Sequence, residues 1–193
     1  MISDYTIALF LHVISAIGFF LGAGLWLFGL ATLRRAQRVE QARSILTLVA
    51  RTGPVSGISL VVLLAAGIYM TITVWTFEQG WIRIAMLGII LLIALGAGVI
   101  EPRRRALARL ASDAPDGPLP DALAQRTQEK LLSVAVYTQA FLLLGIVFLM
   151  TTKLAFTGSL IALGVALVLG LALGWLVSRG MRSGVQSVAA RAS

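Results

Sequence analysis

Sixteen basic residues punctuate this 193-residue chain, and their placement limits its fold more than any other feature. Five stretches carry no Lys, Arg, Asp or Glu: Tyr5–Leu33, Thr52–Phe77, Ile84–Ile100, Leu131–Thr152 and Leu154–Ser178. The first connection holds Arg34, Arg35, Arg38, Arg43 and Arg51. The third holds Arg103, Arg104, Arg105, Arg109, Arg126 and Lys130, and the C-terminal tail holds Arg179, Arg182 and Arg191. Only Arg83 and Lys153 fall in the second and fourth connections. Apolar stretches separated by basic segments in strict alternation indicate membrane spans, and positive charge is retained on the cytoplasmic side. The expectation is an all-α, polytopic membrane helical bundle of five transmembrane helices, N-terminus outside and C-terminus inside.

Length supports that reading. A hydrocarbon core of about 30 Å needs about 20 helical residues. Four stretches meet this alone; the third does so when it starts at Trp81 and Arg83 snorkels to the interface. Expected helices are 4–33, 53–77, 81–100, 128–152 and 155–178, with cytoplasmic connections 34–52 and 101–127, all in one membrane domain. A β-barrel would need alternating strands of about 10 residues, whereas these runs are continuously apolar. With 59% hydrophobic and 12% charged residues, little remains for a soluble domain. The net charge of +8 flanks the spans, so it suits an anionic inner leaflet and not nucleic acid. The absence of cysteine excludes disulfides, thiolate metal sites and a catalytic thiol.

Local signals refine the path. Ser3 or Asp4 is placed to cap the first helix, which lacks a basic leader and is expected to be retained. Residues 34–51 read as a short amphipathic surface helix, ended by Gly53-Pro54 at the start of the second span. Trp75 and Trp81 face each other across a tight turn and form an interfacial belt. Pro102 is expected to end the third helix. The segment from Asp113 to Asp121 is turn-rich and expected to be mobile, with Asp121 capping an inner extension of the fourth helix.

In the fifth span Gly158, Ala162, Ala166, Gly170, Gly174 and Ser178 recur every four residues as a stripe of small side chains. Such a stripe permits close helix approach, which organises association in lipid. It serves either packing within the chain or a homodimer or membrane partner subunit. Gly18 and Gly22 form a shorter version in the first span.

His12 is the sole histidine and lies about 10 Å below the outer boundary at 1.5 Å per residue. A neutral ring is expected there, available as an axial haem ligand, a copper ligand or a structural hydrogen-bond partner. Tyr69 and Met70 fall at a similar depth, with Met86 and Met150 nearer the outer surface. Histidine with thioethers suits Cu(I), and a single-histidine haem b is also allowed. Candidate cofactor residues are therefore His12 and Tyr69, and candidate metal ligands His12, Met70 and Met86. Gln139 lies deeper, with interhelical hydrogen bonding as its role. There is no phosphate loop, paired intramembrane carboxylate or nucleophile–base arrangement, and no enzymatic reaction is assigned. A transporter would require broken helices and paired ionisable groups, which the sequence lacks.

Leu11-His12-Val13-Ile14-Ser15-Ala16 with Gly18, Gly22 and Gly24 resembles the first helix of a family of small predicted integral membrane proteins of unknown function. That family is distantly similar to the copper-resistance D membrane domain and to membrane protoporphyrinogen oxidases. Gly53-Pro54, Gly67-Ile68-Tyr69, Trp75, Trp81 and Pro102-Arg103 extend the resemblance, which covers about Leu9–Met150. It implies a four-helix core with the fifth helix added, and it singles out His12. Fourteen arginines against two lysines suggest a bacterial inner (plasma) membrane. Two functional classes follow: a haem- or copper-binding membrane protein, or a structural or accessory subunit docking through the fifth helix.

Overall fold

In the computed structural model, which describes residues 3–192 and side chains as far as 179, the described residues form helices without strands. In order they are α1 (Asp4–Leu33), α2 (Val39–Thr73), α3 (Gly80–Leu95), α4 (Glu101–Asp113), α5 (Asp121–Thr127), α6 (Lys130–Thr152) and α7 (Phe156–Ala192), with a π-helical turn, Gly96–Ile100, joining α3 to α4. Five continuous helical units are long and apolar enough to cross a membrane. The side chains of Arg182 and Arg191 lie outside the described residues.

Helix α1 begins as its sequence dictates. Ser3 is extended, and its Oγ accepts the Thr6 N–H, satisfying one of the free amides of the first turn. The remainder departs from expectation at both prolines. α2 is one helix from Val39 to Thr73 with Pro54 inside it, so Gly53-Pro54 does not separate a surface helix from a span. Proline removes the donor for the carbonyl one turn back. Nearby, the Thr52 hydroxyl donates to the Val49 carbonyl and Ser56 to the Thr52 carbonyl, neither of which is the Ala50 carbonyl one turn before Pro54. The connection expected over 34–52 contracts to Arg34–Arg38.

The third helix likewise continues past Pro102. The Glu101 N–H bonds the Gly96 carbonyl, a five-residue step that widens the turn, and Pro102 enters α4 in its first turn, where its missing N–H costs least. Asp121 is not a cap: Pro120 occupies that position and Asp121 sits in the first turn of α5. A break at Gln128 and Glu129 separates α5 from α6.

The arginine-rich end is a built cap and not a set of loose connections. Leu107 and Ala111 of α4 and Leu123 of α5 pack with Leu30, Leu33, Ala42 and Leu46 in one apolar cluster. Arg43 donates to the Ala111 and Ala114 carbonyls, closing the C-terminus of α4, and to Asp116 at 2.8 Å. Val39 N–H bonds the Gly117 carbonyl and Leu119 N–H the Gln37 carbonyl. The segment expected to be mobile is thereby pinned against the start of α2. Arg34, drawn below its ordinary pKa by burial, donates to the Thr127 carbonyl and the Ser133 hydroxyl. It ties the end of α1 to α5 and α6.

Two close helix pairs organise the membrane region. Gly18 and Gly22 of α1 receive Ser59 and Ser56 of α2. In α7 the small-residue stripe faces α6: a Cβ on Gly170 would lie 2.6 Å from the Thr138 Cα, and one on Gly174 2.6 Å from the Val134 Cα. Ala166 meets Gly145 of α6, and Ser159, Ala166 and Ser178 are buried. The stripe is thus covered within the chain. Packing inside the bundle accounts for it, and the face of α7 left outward carries Leu160, Ile161, Val168 and Leu176.

A leucine at Gly170 or Gly174 must push against α6 backbone, so each substitution should lower stability by about 1–3 kcal/mol. Gly164→Leu, where nothing lies within 4 Å of the added Cβ, should leave it unchanged. Thermal unfolding in detergent, followed by circular dichroism, separates the two cases.

Candidate functional site

His12 projects from α1 towards α2, where its Nδ1 lies 2.9 Å from the Leu63 carbonyl oxygen. A carbonyl only accepts, so Nδ1 carries the proton and donates. In the corresponding tautomer Nε2 is the lone-pair nitrogen, and it has no protein partner among the described residues. The approach depends on Gly67: a Cβ there would sit 3.2 Å from His12 Cε1 and 3.3 Å from Nδ1. Glycine at this position lets the ring lie along the α2 backbone.

His12 lines an apolar cavity of about 410 Å³ between α1, α2 and α3. Met70, Met86 and Met150 line the same cavity, although they come from three different helices. Tyr69 does not. It follows Gly67 by two residues, about 200° around the helix, and its side chain is exposed on the outer surface of the bundle. Met70, three residues after Gly67, lines the cavity with His12, whereas Tyr69 does not. Among the described residues no three His, Asp or Glu side chains cluster as a metal site.

The mouth of the cavity has its own electrostatics. Trp75 and Trp81 meet edge to face, ring centres 5.4 Å apart and planes at 84°. Lys153 lies over them, its Nζ 4.3 Å from the Trp75 centroid and 5.9 Å from that of Trp81. Its backbone is left-handed (φ 49°), which closes α6 and directs the chain into α7. A cation on aromatic faces is held by the ring quadrupoles, and here it sits where the cavity meets the interface. The sequence marked Lys153 as one of two basic residues away from the arginine-rich connections; its seat on the tryptophans depends on a turn that the sequence did not reveal. Tyr5 also lines this cavity.

Two further cavities extend the space. One of about 70 Å³ shares His12, Leu63, Ile89 and Met150 with the first. The second, of about 260 Å³, shares Phe19, Leu60 and Leu92 with the small one and reaches Gln139, Glu101 and Arg104. Gln139 is thus on the arginine-rich side of the bundle and apart from His12, as its place in the fourth span suggested. Trp26, which also lines that cavity, was missed from sequence; a tryptophan well inside a span, away from either interface, is the signal.

Residues 6–154 match the family described as predicted integral membrane protein, DUF2269. The chain belongs to that family. The match ends at the turn before α7, so it covers nearly all of α1 to α6, with the histidine and its carbonyl partner. No curated protein and no solved structure matches the chain. In this DUF2269 member the family region holds all of the lining of the three cavities except Tyr5.

One histidine makes the tautomer directly measurable. Imidazole nitrogen NMR of protein labelled only at histidine should show a protonated Nδ1 and an unprotonated Nε2. Gly67→Val should abolish that pattern by pushing the ring from the Leu63 carbonyl. An Nε2–H tautomer in the unaltered protein would contradict the geometry described here.

Proposed function

We propose that this protein, set in a bacterial plasma membrane with its arginine-rich end on the cytoplasmic side, binds haem through His12 in the outer half of the bilayer. The observation that carries the reading is the Nδ1–H bond from His12 to the Leu63 carbonyl. Metal-bound histidines characteristically donate their second ring N–H to such an acceptor, which fixes the ring and raises the basicity of the ligating nitrogen. The surroundings fit a large apolar cofactor. A cavity of about 410 Å³ is of the size that holds small-molecule cofactors, and its lining is mostly hydrophobic. His12 would be the axial ligand, with a thioether from Met70, Met86 or Met150 available opposite it. Lys153 at the mouth would stand near the propionates. Haem would supply one-electron chemistry, with the protein setting axial ligation and excluding water.

Copper(I) is the second reading, favoured by the three thioethers that line the same cavity as His12. A bare ion would leave most of the cavity empty, which is why haem is preferred. Orientation follows from the arginine partition, since cytoplasmic connections retain Lys and Arg. The accessory-subunit reading has no free small-residue stripe on α7 to support it, because α6 covers that face.

Protein purified in mild detergent and titrated with haem should develop a Soret band and saturate at one haem per chain. His12→Ala should lose it, and Gly67→Val should weaken uptake by about 10–100-fold through the lost orienting bond. Copper uptake in place of haem, abolished by His12→Ala, would transfer the site to the second reading. Protein that takes up neither, with His12→Ala indistinguishable from wild type, would remove both.

A further inference from the structure

The cavity near Gln139 holds polar groups with no partner in the protein. Trp26 is 4% exposed, lines the cavity, and its indole N–H makes no hydrogen bond. Gln139 lines it too and makes no hydrogen bond with any described residue. An unpaired donor within a bilayer costs several kcal/mol, so such groups mark a place where something polar is bound. The wall facing them is the π-helical turn, Gly96–Ile100, a backbone feature found often at functional sites.

The chemistry of the occupant follows from charge, depth and access. Glu101 takes both Arg104 nitrogens, at 2.8 and 2.7 Å, and also Arg105 at 2.6 Å, so the ionic groups at the arginine-rich edge of the cavity satisfy one another. That leaves an N–H donor and a neutral amide, which suit a neutral carbonyl and not an anion. Trp26 lies about 12 Å along α1 from Arg34, and Gln139 about 13 Å along α6 from Lys130, at 1.5 Å per residue. Phospholipid headgroups stay at the interface; a membrane-dissolved carbonyl compound reaches this depth. Between the α4 contact at one end and the Trp75–Trp81 turn at the other, α2 and α3 pack only sparsely, which leaves a lateral opening. The Gln139 cavity shares Phe19, Leu60 and Leu92 with the neighbouring apolar cavity of about 70 Å³, which would take the start of a hydrocarbon tail.

We propose that this cavity binds the head of a lipid-soluble quinone, its ring carbonyls paired with the Gln139 amide and, once the indole turns towards the ligand, with the Trp26 N–H. The assignment stands independently of any haem at His12. The test titrates purified protein in detergent with a short-tail benzoquinone, measuring bound quinone by ultrafiltration and ultraviolet absorbance. Saturable binding at one per chain is expected, weakened about tenfold by Trp26→Phe and by Gln139→Leu and left unchanged by Gly164→Leu, away from the cavities. Ala97→Leu, which narrows the cavity from the π turn, should weaken it as well and serves should either polar variant misfold. A parallel titration with methyl oleate, an ester carbonyl without a ring, should show no saturable binding. Equal binding of the ester, no saturable quinone binding, or quinone binding indifferent to all three cavity variants would each overturn the proposal.

Discussion

Close backbone approach at small residues is the interaction on which this structure depends. Inside a bilayer the lipid is as apolar as leucine, so burying leucine against leucine gives helices little reason to associate. What remains is dispersion at short range and a few hydrogen bonds. The chain concentrates both in two pairs: α1 with α2 through Gly18 and Gly22 against Ser59 and Ser56, and α6 with α7 through Gly170 and Gly174 against the Thr138 and Val134 backbone. α3 then packs on α6 and α7, where Gly88 admits Ile146 and Leu163, but only sparsely on α2. The opening between the two assemblies is a consequence. It becomes the chain of cavities that runs from the Trp75–Trp81 mouth to Gln139.

That arrangement places different demands on the two ends. At the arginine-rich end, α4 and α5 are amphipathic helices that do bury leucines from water, at Leu107 and Leu123, and ordinary hydrophobic packing operates. Arg34 and Arg43 act there as cross-braces, each satisfying carbonyls on a neighbouring element and not merely adding positive charge. Arginines that stand out in the sequence for their uneven partition therefore also close the cap. α2 and α3 are thus held together at both ends, near α4 here and by the Trp75–Trp81 turn at the other, with the cavities between.

Most of the fold was legible because its signals are local. Charge-free runs reported five spans, and the four-residue repeat in α7 reported a close contact. The prolines misled for a physical reason. Pro54 and Pro102 carry the breaking signal of soluble chains, but within a bilayer ending a helix would free more backbone groups than one proline does, and at Pro102 a widened turn precedes the ring. The partner of the α7 stripe could not be read, since spacing shows which face is small but not which helix lies against it. The site was legible to the extent that His12 is singular. Convergence of Met70, Met86 and Met150 on its cavity, and the turning away of Tyr69, depend on helix rotations set by glycine contacts far apart in sequence.

The two polar positions in the membrane differ in how their hydrogen bonds are met, and that difference separates their roles. His12 has one nitrogen committed to a backbone carbonyl, which immobilises the ring and leaves one directed lone pair. Rigid presentation of a single acceptor suits a metal centre, where a small misplacement of the ligand weakens coordination. Trp26 and Gln139 are not committed, and they line a cavity whose wall is a widened helical turn. Uncommitted donors beside an apolar channel suit a ligand that arrives from the lipid and leaves again. On the proposed reading, a fixed ligand at His12 and an exchangeable polar pocket at Gln139 occupy separate cavities, with the small cavity between them sharing lining residues with each.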